Sequence, residues 1–364
     1  MINRLLAFIG RYLDRQLMAL VMILLAIGLL VLFSASGGSV ERTSAHAVNI
    51  GIALTIMWIA ANIPLHYLAS IALPLYLFGL LLLIAVELFG FEVNGAQRWL
   101  NLGFTSIQPS ELMKIAVPMM LAWYFDRYEA VLRFRNFVTA TILVVIPVLL
   151  IARQPDLGTA LLVAAAGFYV LFLAGLSMRL LLGTVLVGVA ALPFLWDSLH
   201  QYQKQRVLTL LDPDSDPLGA GYNIIQSKIA IGSGGLFGKG WTNGSQAHLE
   251  FLPERDTDFI FAVLAEEFGL LGVLSLLVLY MFVVSRGLYI ATQAHDTYSR
   301  LLAGSISLTF LVYVFVNTAM VTGLIPVVGV PLPLVSFGGT SMVTLMAGFG
   351  ILMSIHSHRK LLPH

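Results

Sequence analysis

The stretch Asp258–Val284, DFIFAVLAEEFGLLGVLSLLVLYMFVV, decides the fold class. Its apolar run is continuous rather than alternating, and at 1.5 Å rise per residue a helix of this length crosses a bilayer core of about 30 Å. Comparable runs lie outward from it in both directions, near 17–35, 46–63, 67–88, 109–125, 137–152, 157–175, 178–196, 300–322 and 338–356, so that ten spans are expected in all. Composition agrees. Of 364 residues 59% are hydrophobic and only 11% charged, where a soluble domain carries about 25% charged residues. Lipid admits only helices or closed barrels, and continuous runs select helices. The expectation is one all-α polytopic membrane domain over residues 1–364, with a long loop, 197–257, between the seventh and eighth spans. The first run is long for a signal peptide and many spans follow it, so it reads as an uncleaved helix.

An even number of spans puts both termini on one side. Arg4, Arg11, Arg15, Arg127, Arg133, Arg135, Arg179, Arg286, Arg300, Arg359 and Lys360 share that side, while short loops on the other carry only Arg42, Arg98 and Arg153. The positive-inside rule then places both termini in the cytoplasm and the long loop outside the cell membrane. The near balance of 20 basic and 19 acidic residues removes the basic excess of a nucleic-acid binder. With no cysteine, disulfides, thiol nucleophiles and thiolate metal sites are excluded.

The long loop changes character along its length. A basic piece, LHQYQKQRVLTLL, precedes the helix-breaking DPDSDPLGAG; YNIIQSKIAIG then spaces Tyr222, Ile225 and Ile229 as on one face of an amphipathic helix. The last part, GSGGLFGKGW, reads as a flexible approach to the eighth span, and its glycines suggest a movable gate. It is not a phosphate loop, because Ser233 stands where the first glycine belongs and Lys239 is followed by Gly240. Nor is DPDSDPLGAGYN a calcium loop, with Pro217 at the glycine position and Asn223 at that of the final glutamate. The eight histidines have no metal-binding spacing.

Three groups of ionisable residues carry candidate chemistry. Asp258 begins the eighth span beside Glu254, Arg255 and Asp256. A partly desolvated carboxylate at that boundary suits a general base, but the residues taken alone favour helix capping by Thr257 or Asp258. Glu111 and Lys114, three apart in SIQPSELMKIAVPMM, face one side of a helix and can pair. Charge inside a span marks either a site or a buried architectural pair. Glu266 and Glu267 lie about 12 to 13 Å deeper than Asp258, where protonation or a cationic partner is required. Finally, Arg42, Arg98, Arg153, Lys204, Arg206, Lys228, Lys239 and Arg255 crowd the outer side. An anionic ligand, a polyprenyl diphosphate or phospholipid headgroups, accounts for that concentration, as does pairing with neighbouring acids.

SIQPSELMKIA, RQPDLGTALLV, YNIIQSKIAIGSGGLFGKGW, LEFLPERDTDFIFAVLAEEFGLLG and GLIPVVGVPLPLVSFGGTSM together resemble, in order, the signature stretches of the SEDS family (shape, elongation, division and sporulation). The resemblance spans almost the whole chain and is nearer the rod-shape branch than the division branch. Asp256 departs from it, since the family commonly has histidine there. The resemblance implies a ten-helix peptidoglycan glycosyltransferase of the bacterial inner membrane, with its site facing outward. It would polymerise lipid II into a growing glycan strand, beside a class B penicillin-binding protein and the rest of the elongation machinery. It also implies that Asp258 is the essential aspartate and that Glu111 and Lys114 are the family's buried pair. Arg42 and Arg98 would line the outer cavity, with Arg206 and Lys239 as further substrate cations and a divalent ion, Mg or Mn, as an optional clamp. A flippase for the lipid-linked precursor, or a non-enzymatic scaffold for the penicillin-binding protein, is the competing reading.

Overall fold

The computed structural model describes residues 13–93, 96–101, 103, 106–128, 133–177, scattered positions in 179–196, 201–212, 220–245, 252 and 254–358. Nine of the expected spans are helices: α1 (Arg15–Ala35), α2 (Val40–Ala61), α3 (Leu65–Phe89), α4 (Pro109–Arg127), α5 (Phe134–Arg153), α6 (Leu157–Leu173), α9 (Ile260–Thr292), α10 (Thr297–Val321) and α11 (Thr340–Ser357). Most of the seventh span, 178–196, lies outside the described residues. Seven of these helices are long and apolar enough to cross a membrane, and α6 is a shorter apolar helix. Leu81, Leu88, Ile142, Leu149, Leu274 and Phe282 point outward, as residues facing lipid do. Inside, side-chain donors reach carbonyls on neighbouring helices, Tyr76 Oη to Leu143 at 2.8 Å and Ser305 Oγ to Ala166 at 2.8 Å, and Ser354 Oγ reaches Ile63 O in the α2–α3 connection at 2.6 Å. Such bonds help join helices where lipid offers no hydrophobic drive.

The long loop carries two helices, α7 (Gln201–Leu211) and α8 (Ala220–Ser233). The second covers the amphipathic segment read from the sequence. A small antiparallel sheet was not expected. Strands β1 (Phe91–Val93), β2 (Ala96–Asn101) and β3 (Ser106–Ile107) pair in chain order between α3 and α4.

The eighth expected span is broken. Gly269 has φ 65° and ψ −164° inside α9, which diverts two helical hydrogen bonds. Leu270 N donates to Gly235 O (2.9 Å) and Leu271 N to Leu236 O (3.2 Å). The carbonyls they leave, on Glu266 and Glu267, accept from Lys239 N and Gly240 N, both at 3.0 Å. The glycine-rich run therefore replaces a turn of helix bond for bond, which is how a broken helix stays satisfied in lipid. A Cβ on Gly234 would stand 2.1 Å from Ala265 O, and one on Gly238 2.1 Å from Glu267 O. The glycines serve close approach to a helix rather than the free gate expected of them.

The connection 322–339 between α10 and α11 runs back into the bundle. Tyr280 Oη holds Pro333 O at 2.7 Å, and Gly28 of α1 lies so near that an added Cβ would be 2.6 Å from Leu334 O and 2.9 Å from Val335 Cα. Both are backbone atoms, so Gly28→Ala is expected to destabilise the protein by about 1–3 kcal/mol, the cost of overpacking, measured by unfolding in detergent.

At the far end of the bundle Asp14 caps α1 through Leu17 N at 2.7 Å and receives Arg286 of α9 at 2.5 and 3.1 Å and His356 of α11 at 3.2 Å. Burial alone would raise its pKa. The hydrogen bonds of Arg286 and Leu17 and the charges of Arg286 and His356 outweigh it and hold the carboxyl below its ordinary value. A folded pKa below the unfolded one gives stability that is present above the unfolded pKa and is lost as pH falls through the folded one. Melting temperature is expected to fall between about pH 5 and about pH 2, and less steeply in Asp14→Asn.

Candidate functional site

Asp258 lies in the turn 254–259 that leads into α9. The helix N-cap position is Phe259, whose side chain makes no cap bond. The turn is fastened at its backbone. Thr257 N and Phe259 N both donate to Glu254 O at 3.1 Å; Ser336 Oγ donates to Thr257 O at 2.6 Å and Phe337 N to Asp256 O at 2.8 Å. Asn317 of α10 completes the grip, its Nδ2 donating at 2.8 Å to both Asp258 O and Val330 O. The Asp258 carboxylate lies beside Gly329, where a Cβ would be 3.5 Å from Oδ2. Hydrogen in place of a side chain keeps that oxygen approachable.

A cavity of about 550 Å³ adjoins the turn, lined by Arg42, Leu252, Glu254, Arg255, Asp256, Thr257 and Phe337. Arg42, from the first turn of α2, forms an ion pair with the buried Asp256, whose other oxygen is 4.0 Å from Arg255 Nε. The Arg42 side chain stays 61% exposed. It is thus held by one carboxylate and still open to an anion. Asp256 supplies the charge that positions it.

Glu111 and Lys114 pair at 2.5 Å in the buried first turns of α4, and Lys114 Nζ lies 5.1 Å from the Tyr313 ring centroid. Tyr313 and Asn317 are four apart on α10, one turn or about 6 Å along the axis. Through this helix face the buried pair and the Asp258 backbone become neighbours. Arg98, on β2, is 3.7 Å from Asp156, the N-cap of α6, which also accepts from Gln108 Nε2 at 2.7 Å and Thr159 N at 3.2 Å. Gly158 in the same turn packs on Val328 O, at 2.7 Å from its would-be Cβ, so Arg98 adjoins the connection that carries Gly329.

One expected substrate cation, Lys239, is paired with an acid inside the bundle. Lys239 donates to Glu266 at 2.7 Å, with Ser245 Oγ also on that carboxylate at 3.0 Å. Its charge neutralises a fully buried acid in α9, eight residues beyond Asp258 and about 12 Å from it along the helix. Glu267 accepts from Ser34 of α1. Arg206 is on α7, and its side chain lies outside the described residues. Among the described residues no three or more His, Asp or Glu cluster as metal ligands. Tyr313, Asn317 and Ser336 were not singled out from the sequence. Asn317 alone had a signal, a lone amide in the apolar run VYVFVNTAMV.

Fold and site together define a polytopic helical membrane protein that presents one anchored carboxylate and several cations at one end of its bundle. Comparison with known proteins sharpens this. Residues 15–361 match the family described as cell cycle protein, FtsW/RodA/SpoVE, and the chain belongs to it. It is 54% identical over 352 residues to peptidoglycan glycosyltransferase MrdB of Escherichia coli K12, covering 96% of this chain and 95% of that one. It is 36% identical to the probable peptidoglycan glycosyltransferase FtsW of Idiomarina loihiensis, over 96% and 88%. Among solved structures, it superposes with TM-score 0.83 and 36% identity on a chain from a peptidoglycan synthase complex that coordinates polymerization and crosslinking, over 96% and 98% of the two chains. The rod shape determining protein RodA of Thermus thermophilus matches with TM-score 0.73 and 32% identity, over 95% and 97%.

Proposed function

We propose that the chain is a peptidoglycan glycosyltransferase of the bacterial cytoplasmic membrane that polymerises lipid II on the outer face during cell elongation. The observation that carries this reading is the anchoring of Asp258 at the entrance to α9: its own carbonyl is held from α10, and its neighbours Thr257 and Asp256 are held from the 322–339 connection. Such rigidity is what a base needs in order to meet a substrate hydroxyl in one geometry. The acceptor sugar's 4-hydroxyl is a weak nucleophile, so Asp258 takes its proton as the oxygen attacks the donor's anomeric carbon. The bond to the diphosphate oxygen breaks in the same displacement, and undecaprenyl diphosphate leaves with the electron pair. Because that anion is a good leaving group, the second carboxyl group that glycoside hydrolases use as an acid is not needed. Arg42, Arg98 and Lys114 supply positive charge for the departing diphosphate. The displacement inverts the α-linked donor to a β-linked glycan.

Both termini are cytoplasmic in this account, the loop 197–257 and the site lie outside, and a class B penicillin-binding protein crosslinks the product. Likeness to a chain from a complex that coordinates polymerization and crosslinking supports such a partner. Purified protein with its partner is expected to convert fluorescent lipid II into glycan chains in detergent, where no leaflets exist. Movement of lipid II between leaflets of proteoliposomes without chain growth in either setting would instead make it a transporter.

A further inference from the structure

α4 ends at Arg127 and α5 begins at Phe134, at the end of the bundle opposite Asp258. Between them lies a cavity of about 360 Å³ lined by Tyr124, Tyr128, Arg133, Arg135, Asn136 and Thr139. Among the described residues the lining holds two guanidinium groups and no carboxylate, and neither arginine forms an ion pair. The two tyrosine rings lie together, centroids 5.0 Å apart, and their hydroxyls make no hydrogen bond among the described residues. Asn136 accepts from Arg133 N at 3.3 Å through its oxygen, which leaves its amide hydrogens for another acceptor. The Tyr124–Phe125 and Arg127–Trp123 contacts continue an aromatic and cationic belt beside the cavity. From its edge the exposed residues Phe134, Val138, Ile142, Ile146 and Leu149 run down one side of α5. That stripe faces the bilayer interior.

We infer that this cavity binds the phosphate headgroup of an anionic phospholipid, with the acyl chains laid along the exposed stripe of α5. Arginine forks match phosphate oxygens, and tyrosine and amide donors complete the cradle. A soluble phosphate would satisfy the same donors, but only a lipid also uses the apolar stripe that starts at the cavity's edge. The site is separate from Asp258 and does not depend on the proposed chemistry.

The test is native mass spectrometry of the full chain in detergent, titrated with phosphatidylglycerol, phosphatidylcholine or inorganic phosphate. Wild type is expected to retain one phosphatidylglycerol in preference to phosphatidylcholine. The Arg133→Gln/Arg135→Gln variant should bind it roughly thirtyfold more weakly, at about fivefold for each arginine near a membrane surface. Tyr124→Phe/Tyr128→Phe, which keeps both rings, should weaken it by a few fold, and Arg15→Gln, an exposed arginine elsewhere, should leave it unchanged. Equal retention of the two lipids, or by the arginine variant, would overturn the inference. So would phosphate binding as tightly as phosphatidylglycerol, which would make this a soluble-anion site, or displacement of the lipid by a hexaglutamate peptide at equal concentration, which would point to an acidic protein segment.

Discussion

Asp258→Asn is expected to reduce glycan formation from lipid II by about 10²–10⁴-fold, the range that a positioned proton acceptor contributes, while the protein folds and binds its partner as before. The separation of the two effects follows from how the residue is held. Asn317 reaches the backbone carbonyl of Asp258, and Ser336 that of Thr257; an amide side chain leaves both bonds in place. The substitution keeps size and removes basicity. Chain formation on gels, with partner co-purification as the control, reads both effects. Full activity in Asp258→Asn would return the residue to a structural role.

The second large effect concerns the buried pair. Lys114→Met leaves the Glu111 carboxylate in the bundle interior without the cation that now sits 2.5 Å away. Removing one partner of a buried pair costs about 3–5 kcal/mol, whereas replacing both is often close to neutral. The single variant should therefore lose much of its thermal stability, and Glu111→Gln/Lys114→Met should recover most of it. Activity separates architecture from chemistry. If Lys114 contributes charge to the departing diphosphate, the double variant stays inactive although it is folded. A double variant that recovers both stability and polymerisation would show the pair to be architectural only. The coupling read from this cycle is meaningful because the two residues are in direct contact.

The spans were legible because bilayer crossing leaves a long, continuous apolar signal, and nine helices stand where such runs predict them. Asp258, Glu111 and Lys114 were legible for the converse reason: a charge at the edge or within such a run is costly and stands out. What the sequence hid depends on distant partners. The break at Gly269 reads locally as one more glycine in an apolar helix, since the groups that satisfy it are supplied by residues 235–240. For the same reason Lys239 reads as an available cation until Glu266 is seen beside it. The small sheet has a local signal: Asn94-Gly95 between Phe91–Val93 and Ala96–Asn101 is the dipeptide of a two-residue hairpin. The Asp256–Arg42 pair joins residues 214 apart, and sequence spacing carries no trace of it.

The central claim is that the Asp258 carboxylate accepts the proton of the attacking hydroxyl, and the most direct measurement is the rate of chain extension against pH for wild type and Asp258→Asn, each with its partner and saturating lipid II. A base must be unprotonated to act, so the account predicts that the wild-type rate falls on the acid side and that Asp258→Asn shows a low residual rate without that fall. The same acid limb in both proteins, at comparable rates, would contradict it.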